Sequence, residues 1–137
     1  MIRLAHEHDI QAIHALRESL AAWQISRGIV QWVPGEVTLN QIETEVGRGE
    51  WNVLDRYEFV EAAVRVIDAD PGIWTDDNRE AGYIHGLMVA RARAGEGLGR
   101  AVLREAEALI RKRGRRIIRL DCVATNLVLR QYYESQN

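Results

Sequence analysis

The stretch that decides the fold joins an apolar segment to a glycine-rich loop: Gly82-Tyr83-Ile84-His85-Gly86-Leu87-Met88-Val89, and then Ala94-Gly95-Glu96-Gly97-Leu98-Gly99-Arg100. The apolar segment is bounded at both ends, which is typical of a buried strand. After the loop, apolar residues recur at helical spacing as far as Gly114, a residue type that commonly follows a helix C-terminus. The sequence therefore predicts a strand over 82–89, a loop, and a helix over 98–113.

The glycine-rich loop suits a bound phosphate. Glycine reaches backbone conformations closed to other residues and lets a ligand approach the main chain. The first turn of the following helix points free N–H groups outward, and the helix dipole adds positive potential there. The spacing Gly95-x-Gly97-x-Gly99 fits a pyrophosphate site, and it also fits a tight loop whose glycines only permit close packing of helix on strand.

Two other nucleotide motifs do not match the residues around this loop. A P-loop ends in Gly-Lys-Ser/Thr, whereas Gly99 is followed by Arg100 and Ala101. A dinucleotide fingerprint has Gly-x-Gly-x-x-Gly after the first strand of its domain, whereas these glycines alternate and come late in the chain. Both nucleotide motifs can therefore be set aside.

The rest of the chain supplies the elements around this unit. Periodicity and turn residues predict, in order, a strand over 1–5, a helix from Asp9 to Gly28, a loop over 28–36, a helix opened by Thr38 and Gln41, a hairpin of strands 51–54 and 59–67, a loop over 68–80, a strand over 117–123 and a helix over 126–134. The unit 82–123 then has the form of a βαβ crossover, which makes its two strands parallel. We expect a single domain over 1–137.

Composition narrows the class of protein. Apolar residues make up 47% and charged residues 28% of the 137 residues, which fits an ordinary globular domain. A net charge of −2 gives no electrostatic case for a nucleic-acid partner. No apolar run reaches the roughly 20 residues that span a bilayer, and the scattered histidines form no metal-ligand set. The lone Cys122 cannot form an internal disulfide, which suits a reducing cytoplasm. Together these features lead us to expect a cytoplasmic protein with no metal and no membrane contact.

The segments 82–89 and 94–103 resemble the acetyl-CoA motif of the GNAT N-acetyltransferases. The downstream segments Leu120-Asp121-Cys122-Val123-Ala124-Thr125-Asn126 and Leu129-Arg130-Gln131-Tyr132-Tyr133-Glu134 are similar to the next strand and helix of that family. The resemblance implies an α/β fold with a mixed sheet in a three-layer α-β-α arrangement, and an acetyl-CoA-binding core over 82–134. It implies an N-acetyltransferase that moves acetyl from acetyl-CoA to a primary amine by direct attack.

The resemblance also assigns cofactor contacts, position by position. Leu87, Met88 and Val89 match the strand segment whose backbone binds the pantetheine arm, and Asn126 matches an asparagine near the thiol end. The loop and the first helical turn match the segment that binds the pyrophosphate in the family. They comprise Ala94, Gly95, Glu96, Gly97, Leu98, Gly99 and Arg100. The family usually has Arg or Gln where Ala94 stands, and here the arginine comes one residue earlier, at Arg93.

Three residues are candidates for proton transfer. Tyr133 matches the tyrosine that protonates the leaving thiolate in many members, and Asp121 falls where some members place a glutamate general base. His85 lies in the predicted strand, on one face with Tyr83 and Leu87 at period two, and is a candidate proton acceptor. Each also has a structural interpretation: a core aromatic, a paired carboxylate and a hydrogen-bonded histidine, respectively. A strand N–H near Leu87 is a candidate oxyanion donor.

The acceptor side is less fully specified. The loop 28–36 lines the acceptor pocket in the family, so Trp32 and Glu36 are hypotheses for contact with a small-molecule or peptide amine. Family members continue from a Tyr-Glu-x-x-Gly-Phe segment into two more strands, whereas this sequence ends at Asn137, so we expect a C-terminally truncated fold. An exposed sheet edge would invite pairing in a homodimer. A catalytically silent acyl-CoA-binding or interaction module is the alternative function.

Overall fold

A computed structural model of the protein describes residues 1–29, 32–56, 59–69, 79–93 and 95–120. In this part of the chain one sheet contains, in spatial order, the strands β1 (Arg3–Leu4), β2 (Trp51–Arg56), β3 (Phe59–Ile67), β4 (Ala81–Val89) and β5 (Ile117–Leu120). Neighbours from β1 to β4 are antiparallel, and β5 pairs with β4 in parallel. The predicted mixed sheet, the hairpin and the βαβ crossover are all confirmed.

Helices cover both faces of this sheet. Helices α1 (Ile10–Ser26) and α2 (Leu39–Gly47) share one core with Trp51, Val53 and Met88. Helix α3 (Leu98–Lys112) packs on the other face, against Val64 and Ile84. Because side chains alternate along a strand, β2, β3 and β4 contribute to both cores, and three layers result. None of the helices in the described ranges is long and apolar enough to cross a bilayer.

The starts of the first two helices differ in how they are capped. Thr38 caps α2 as predicted, because its hydroxyl accepts the Gln41 N–H at 3.1 Å. Asp9 does not cap α1. A 3₁₀ turn (Glu7–Asp9) precedes α1, and the Asp9 carboxylate accepts the His6 N–H at 2.8 Å instead. The predicted position of the helix start is correct, but the expected use of the Asp9 side chain is wrong.

Asp9 belongs to an ion-pair network that joins three elements. Arg3 of β1 contacts Asp9 at 2.8 Å and Asp55 of β2 at 2.8 Å. The Asp9 side chain is only 4% exposed, so its charge depends on this partner. The hydrogen bond from Arg3 is the main reason that the pKa of Asp9 lies below its usual range.

An Asp9→Asn variant should lose stability in a pH-dependent way. Because the folded state lowers the pKa of Asp9, the stabilisation is complete above the ordinary aspartate pKa and is lost as the pH falls through the folded-state value. We expect the free energy of unfolding to drop by about 2 kcal/mol at pH 7, from a buried charge-assisted pair, and the difference from wild type to shrink toward pH 3. Urea titrations across this range measure it, with the exposed Asp68→Asn as control. An equal deficit at both ends of the range would contradict the prediction.

Strand β4 contains a β-bulge that changes which way its side chains face. Arg65 pairs with His85 and Ala63 with Met88, so the single residue Val64 lies opposite both Gly86 and Leu87. Gly86 has φ +62°, a left-handed conformation that favours glycine. Leu87 therefore packs toward the α3 core, whereas His85 stays on the opposite face beside Arg65. The prediction that Tyr83, His85 and Leu87 share one face is wrong for Leu87, because the extra residue interrupts the period of two.

A glycine that the sequence analysis did not single out lets α3 pack closely on the sheet. A Cβ on Gly82 would lie 2.5 Å from Cγ2 of Ile110, whose side chain is 1% exposed. Ile110 is β-branched and cannot easily turn away. Glycine at position 82 therefore sets the approach of the crossover helix to β4.

Gly82→Ala should destabilise the protein by about 1–3 kcal/mol, because the added methyl group overpacks a well-filled core. Gly47→Ala is the matched control: Gly47 has no atom within 4 Å of a notional Cβ and lies at the end of α2. We expect that variant to match wild type or to gain a few tenths of a kcal/mol. Thermal unfolding of both variants is the measurement. Equal midpoints for the two would show that Ile110 adjusts freely.

Candidate functional site

The glycine-rich loop connects β4 to α3. After β4 comes a 3₁₀ turn (Arg91–Arg93), and α3 begins at Leu98 with Gly97 as its N-cap. Gly95 and Gly97 have φ of +85° and +78°, and a Cβ on either would meet nothing within 4 Å. Close packing therefore does not explain these two glycines. Their left-handed backbone conformation does.

The first turn of α3 has N–H groups that its N-cap residue, Gly97, does not bind through a side chain. The first bond of the helix runs from the Ala101 N–H to the Gly97 carbonyl at 3.1 Å, so the N–H groups of Leu98, Gly99 and Arg100 precede the helical ladder. Gly97 has no side chain with which to cap them. Together with the positive end of the helix dipole, these groups suit an anion at the end of β4. We call residues 95–100 the cradle.

The side chains around the cradle differ in exposure. Leu98 and Gly99 are half-buried, whereas Glu96 and Arg100 are exposed. Ala94 lies outside the described residues. The turn before the loop is attached to α1, since the Arg91 guanidinium carbon lies 3.8 Å from the centroid of the Trp23 ring. The cradle is thus connected to the opposite layer of the fold.

Beyond the bulge, the backbone polar groups of β4 point alternately to β3 and to the opposite edge of the strand. Ala90 donates to the Glu61 carbonyl at 2.8 Å, and Met88 pairs with Ala63 in register. Because hydrogen-bonding pairs alternate in an antiparallel ladder, the polar groups of Met88 face β3, and those of Leu87 and Val89 face the opposite edge. The described pairing of β4 with β5 ends at Ile84 and Leu120, before this segment.

His85 is the one predicted proton-transfer residue within the described part of the chain. It is half-buried, and it lies across from Arg65, whose guanidinium contacts Glu50 at 2.8 Å and Glu45 at 3.5 Å. Asp121, Asn126 and Tyr133 lie outside the described residues, so their roles stay predictions. Among the residues that the structure describes, no three potential metal ligands come together.

Trp32 and Glu36 meet at an arginine that the sequence analysis missed. The Arg17 guanidinium carbon lies 5.1 Å from the Trp32 ring centroid, and Arg17 donates to Glu36 at 3.0 Å. Glu36 also accepts the Val33 N–H at 3.2 Å; this bond first, and then Arg17, lowers the pKa of Glu36. Arg17 is only 8% exposed. Its place four residues after Ile13, on the apolar face of α1, was the available signal.

The basic run Arg111-Lys112-Arg113-Gly114-Arg115-Arg116 lies far from the cradle. It occupies the opposite end of the 15-residue helix α3, about 22 Å away at 1.5 Å per residue. Its charges pair locally: Arg116 contacts Glu80, and Arg113 and Arg115 contact Asp68. The run is therefore part of the solvated surface at this end of the helix.

Comparison with known proteins identifies the class that this fold and loop define. The model of the acetyltransferase (GNAT) family matches residues 37–137. An uncharacterized N-acetyltransferase of Bacillus subtilis (strain 168), YesJ, is 35% identical over 133 residues, which cover 91% of this chain and 73% of that protein. The chain belongs to the GNAT acetyltransferase family, and it is an acetyltransferase.

Solved structures agree with this assignment. A GNAT-family acetyltransferase from Listeria monocytogenes superposes with a TM-score of 0.83 at 26% identity, over all of this chain and 84% of the other. The PaiA N-acetyltransferase from Thermoplasma acidophilum, solved in complex with coenzyme A, gives a TM-score of 0.79 at 15% identity, over all of this chain and 87% of the other. The predicted fold class is confirmed.

Proposed function

We propose that this protein binds acetyl-CoA at the cradle and transfers its acetyl group to a primary amine by direct attack. The observation that carries the proposal is the uncapped first turn of α3, behind the left-handed Gly97. A pyrophosphate offers the negative charge and the acceptor oxygens that such N–H groups bind. The coenzyme A in the Thermoplasma neighbour supports the same ligand class.

The remaining cofactor contacts follow β4 toward the bulge. The backbone groups of Leu87 and Val89 point away from β3, so they are the ones proposed to bind the pantetheine arm. Met88, between them, holds the strand in place with a side chain that is 1% exposed in the α1–α2 core. Gly95, Glu96, Gly97, Leu98, Gly99 and Arg100 surround the pyrophosphate in this proposal, and Asn126 is assigned to the thiol end.

The reaction needs one proton acceptor and one proton donor. The amine nitrogen attacks the thioester carbon and gives its proton to a base, and the C–S bond breaks to release a thiolate that takes up a proton. His85, beside the bulge, is the proposed base, and the Leu87 N–H is the proposed donor to the developing oxyanion. Asp121 is the alternative base, and Tyr133 is the proposed donor to the thiolate.

The acceptor is proposed to enter beside the loop that contains Trp32 and Glu36. Glu36 is held by Arg17 but keeps 52% of its side chain exposed, and its lowered pKa keeps it anionic. The exposed part of this carboxylate offers an anionic contact for a cationic acceptor. A small-molecule or peptide amine carries such a charge before it loses its proton.

Gly97→Ala should weaken acetyl-CoA binding by about tenfold, because the αL conformation at the N-cap costs an alanine about 1–2 kcal/mol and the cradle must shift to relieve it. Gly114→Ala is the matched control. It has φ +81° and open space at its Cβ, but it lies beyond the other end of α3. Isothermal titration should show the affinity change only for Gly97→Ala, while both variants lose similar stability. No binding by wild type at millimolar acetyl-CoA would refute the proposed ligand.

His85→Gln should lower kcat by about 10²-fold, as expected for loss of a general base, with acetyl-CoA affinity within about twofold of wild type. A screen of acceptor amines with a thiol-release readout first identifies the substrate. His8→Gln, whose side chain is 72% exposed, is the control and should keep full activity. If His85→Gln retains its activity, His85 is not the general base and another residue is. Binding of acetyl-CoA without thiol release for any acceptor would favour the silent module.

A further inference from the structure

A buried carboxylate lies in the α1–α2 core next to the bulge. Glu45 of α2 is 5% exposed, and it accepts hydrogen bonds from Trp51 Nε1 at 2.9 Å and Gln41 Nε2 at 3.4 Å. Arg65 approaches it to 3.5 Å. Desolvating a carboxylate costs several kcal/mol, and an apolar residue of similar volume is often as stable. Stability alone therefore gives little reason for a charge at this position.

Trp51 connects that carboxylate to the bulge. Its side chain is 4% exposed, and its Cη2 would lie 3.2 Å from a Cβ on Gly86. Nε1 belongs to the five-membered ring of the indole and Cη2 to the six-membered ring, so Glu45 holds one end of a rigid side chain whose other end lies against Gly86. The indole acts as a strut between α2 and the bulge in β4.

The bulge sets the direction of the next peptide group. Its extra residue turns Leu87 to the α3 face, and because glycine reaches many backbone conformations, the surroundings of Gly86 select the left-handed one. The carboxylate–indole contact supplies that restraint from one side. The position of the Leu87 N–H matters, because a displacement of about 1 Å can reduce a reaction rate about 10²-fold.

We propose that Glu45 is a positioning residue that acts through Trp51 on the bulge at Gly86 and so aims the Leu87 N–H at the thioester carbonyl oxygen. The inference rests on the proposed function, since it assumes that acetyl-CoA lies along β4. It assigns a role to two residues, one in α2 and one in β2, that do not touch the substrate.

The test measures the carbonyl stretching frequency of bound acetyl-CoA labelled with ¹³C at the thioester carbonyl, together with kcat and the Kd for acetyl-CoA. In wild type we expect the frequency to fall on binding, because the carbonyl accepts a hydrogen bond. Glu45→Leu and Trp51→Phe should reduce that shift by half or more and lower kcat about tenfold, a partial loss of an oxyanion donor, with Kd changed less than about threefold. Glu45→Gln, which keeps an oxygen for Nε1, should recover part of both.

Glu50→Gln is the matched control, because Glu50 contacts the same Arg65 guanidinium at 2.8 Å, whereas Trp51 Nε1 donates to Glu45. It should keep the wild-type shift and kcat. Should Glu45→Leu fail to fold, Trp51→Phe still tests the strut, since it keeps an aromatic core and shortens the ring. Unchanged shift and kcat in Trp51→Phe, in a protein that binds acetyl-CoA and turns over, would overturn the inference and leave the proposed function standing. Absence of acetyl-CoA binding in wild type would instead refute the proposed function.

Discussion

The extra residue in β4 is the constraint on which the site depends. A regular strand would keep one set of side chains on each face from Ala81 to Val89, and His85 and Leu87 would point the same way. With Gly86 in the left-handed region, His85 lies on the α1–α2 face while Leu87 packs toward α3. A proton acceptor and a backbone donor can then serve two sides of one reacting centre. The bulge is thus part of the chemistry proposed for this strand as well as of its geometry.

The phosphate end of the site depends on a second constraint, the close approach of α3 to β4. The cradle exists because the helix starts just beyond the strand, and Gly82 lets Ile110 pack directly on the sheet. The parallel pairing of β4 with β5 fixes where the helix must return. Glycines therefore act in two different ways along one unit: Gly82 provides space, and Gly97 provides a backbone conformation.

Buried and half-buried charges organise the layer opposite α3. Arg17 gathers Glu36 and the Trp32 ring, Arg3 joins Asp9 to Asp55, and Glu45 holds the Trp51 indole. Each of these contacts joins different elements of the fold. They fix loops and backbone that packing alone would leave adjustable, and two of them border the region assigned to the acceptor and the thioester. The roles proposed for these regions give a reason for charges in place of apolar residues.

The sequence by itself determined the order of the elements, the crossover and the phosphate loop, because these rest on local signals. The signals are local: each of them, whether apolar periodicity, the Thr38 cap or the alternating glycines, involves residues only a few positions apart. Strand 82–89, helix 98–113 and the loop between them were therefore predictable. The sequence did not determine on which face Leu87 lies, why residue 82 is glycine, or which partners Arg17 and Glu45 bind. Those depend on Val64, Ile110 and Glu36, which are distant in the sequence, and on the indole of Trp51, whose orientation toward Glu45 depends on how α2 and β2 pack. A bulge is a mismatch between two strands, so neither strand alone could reveal it.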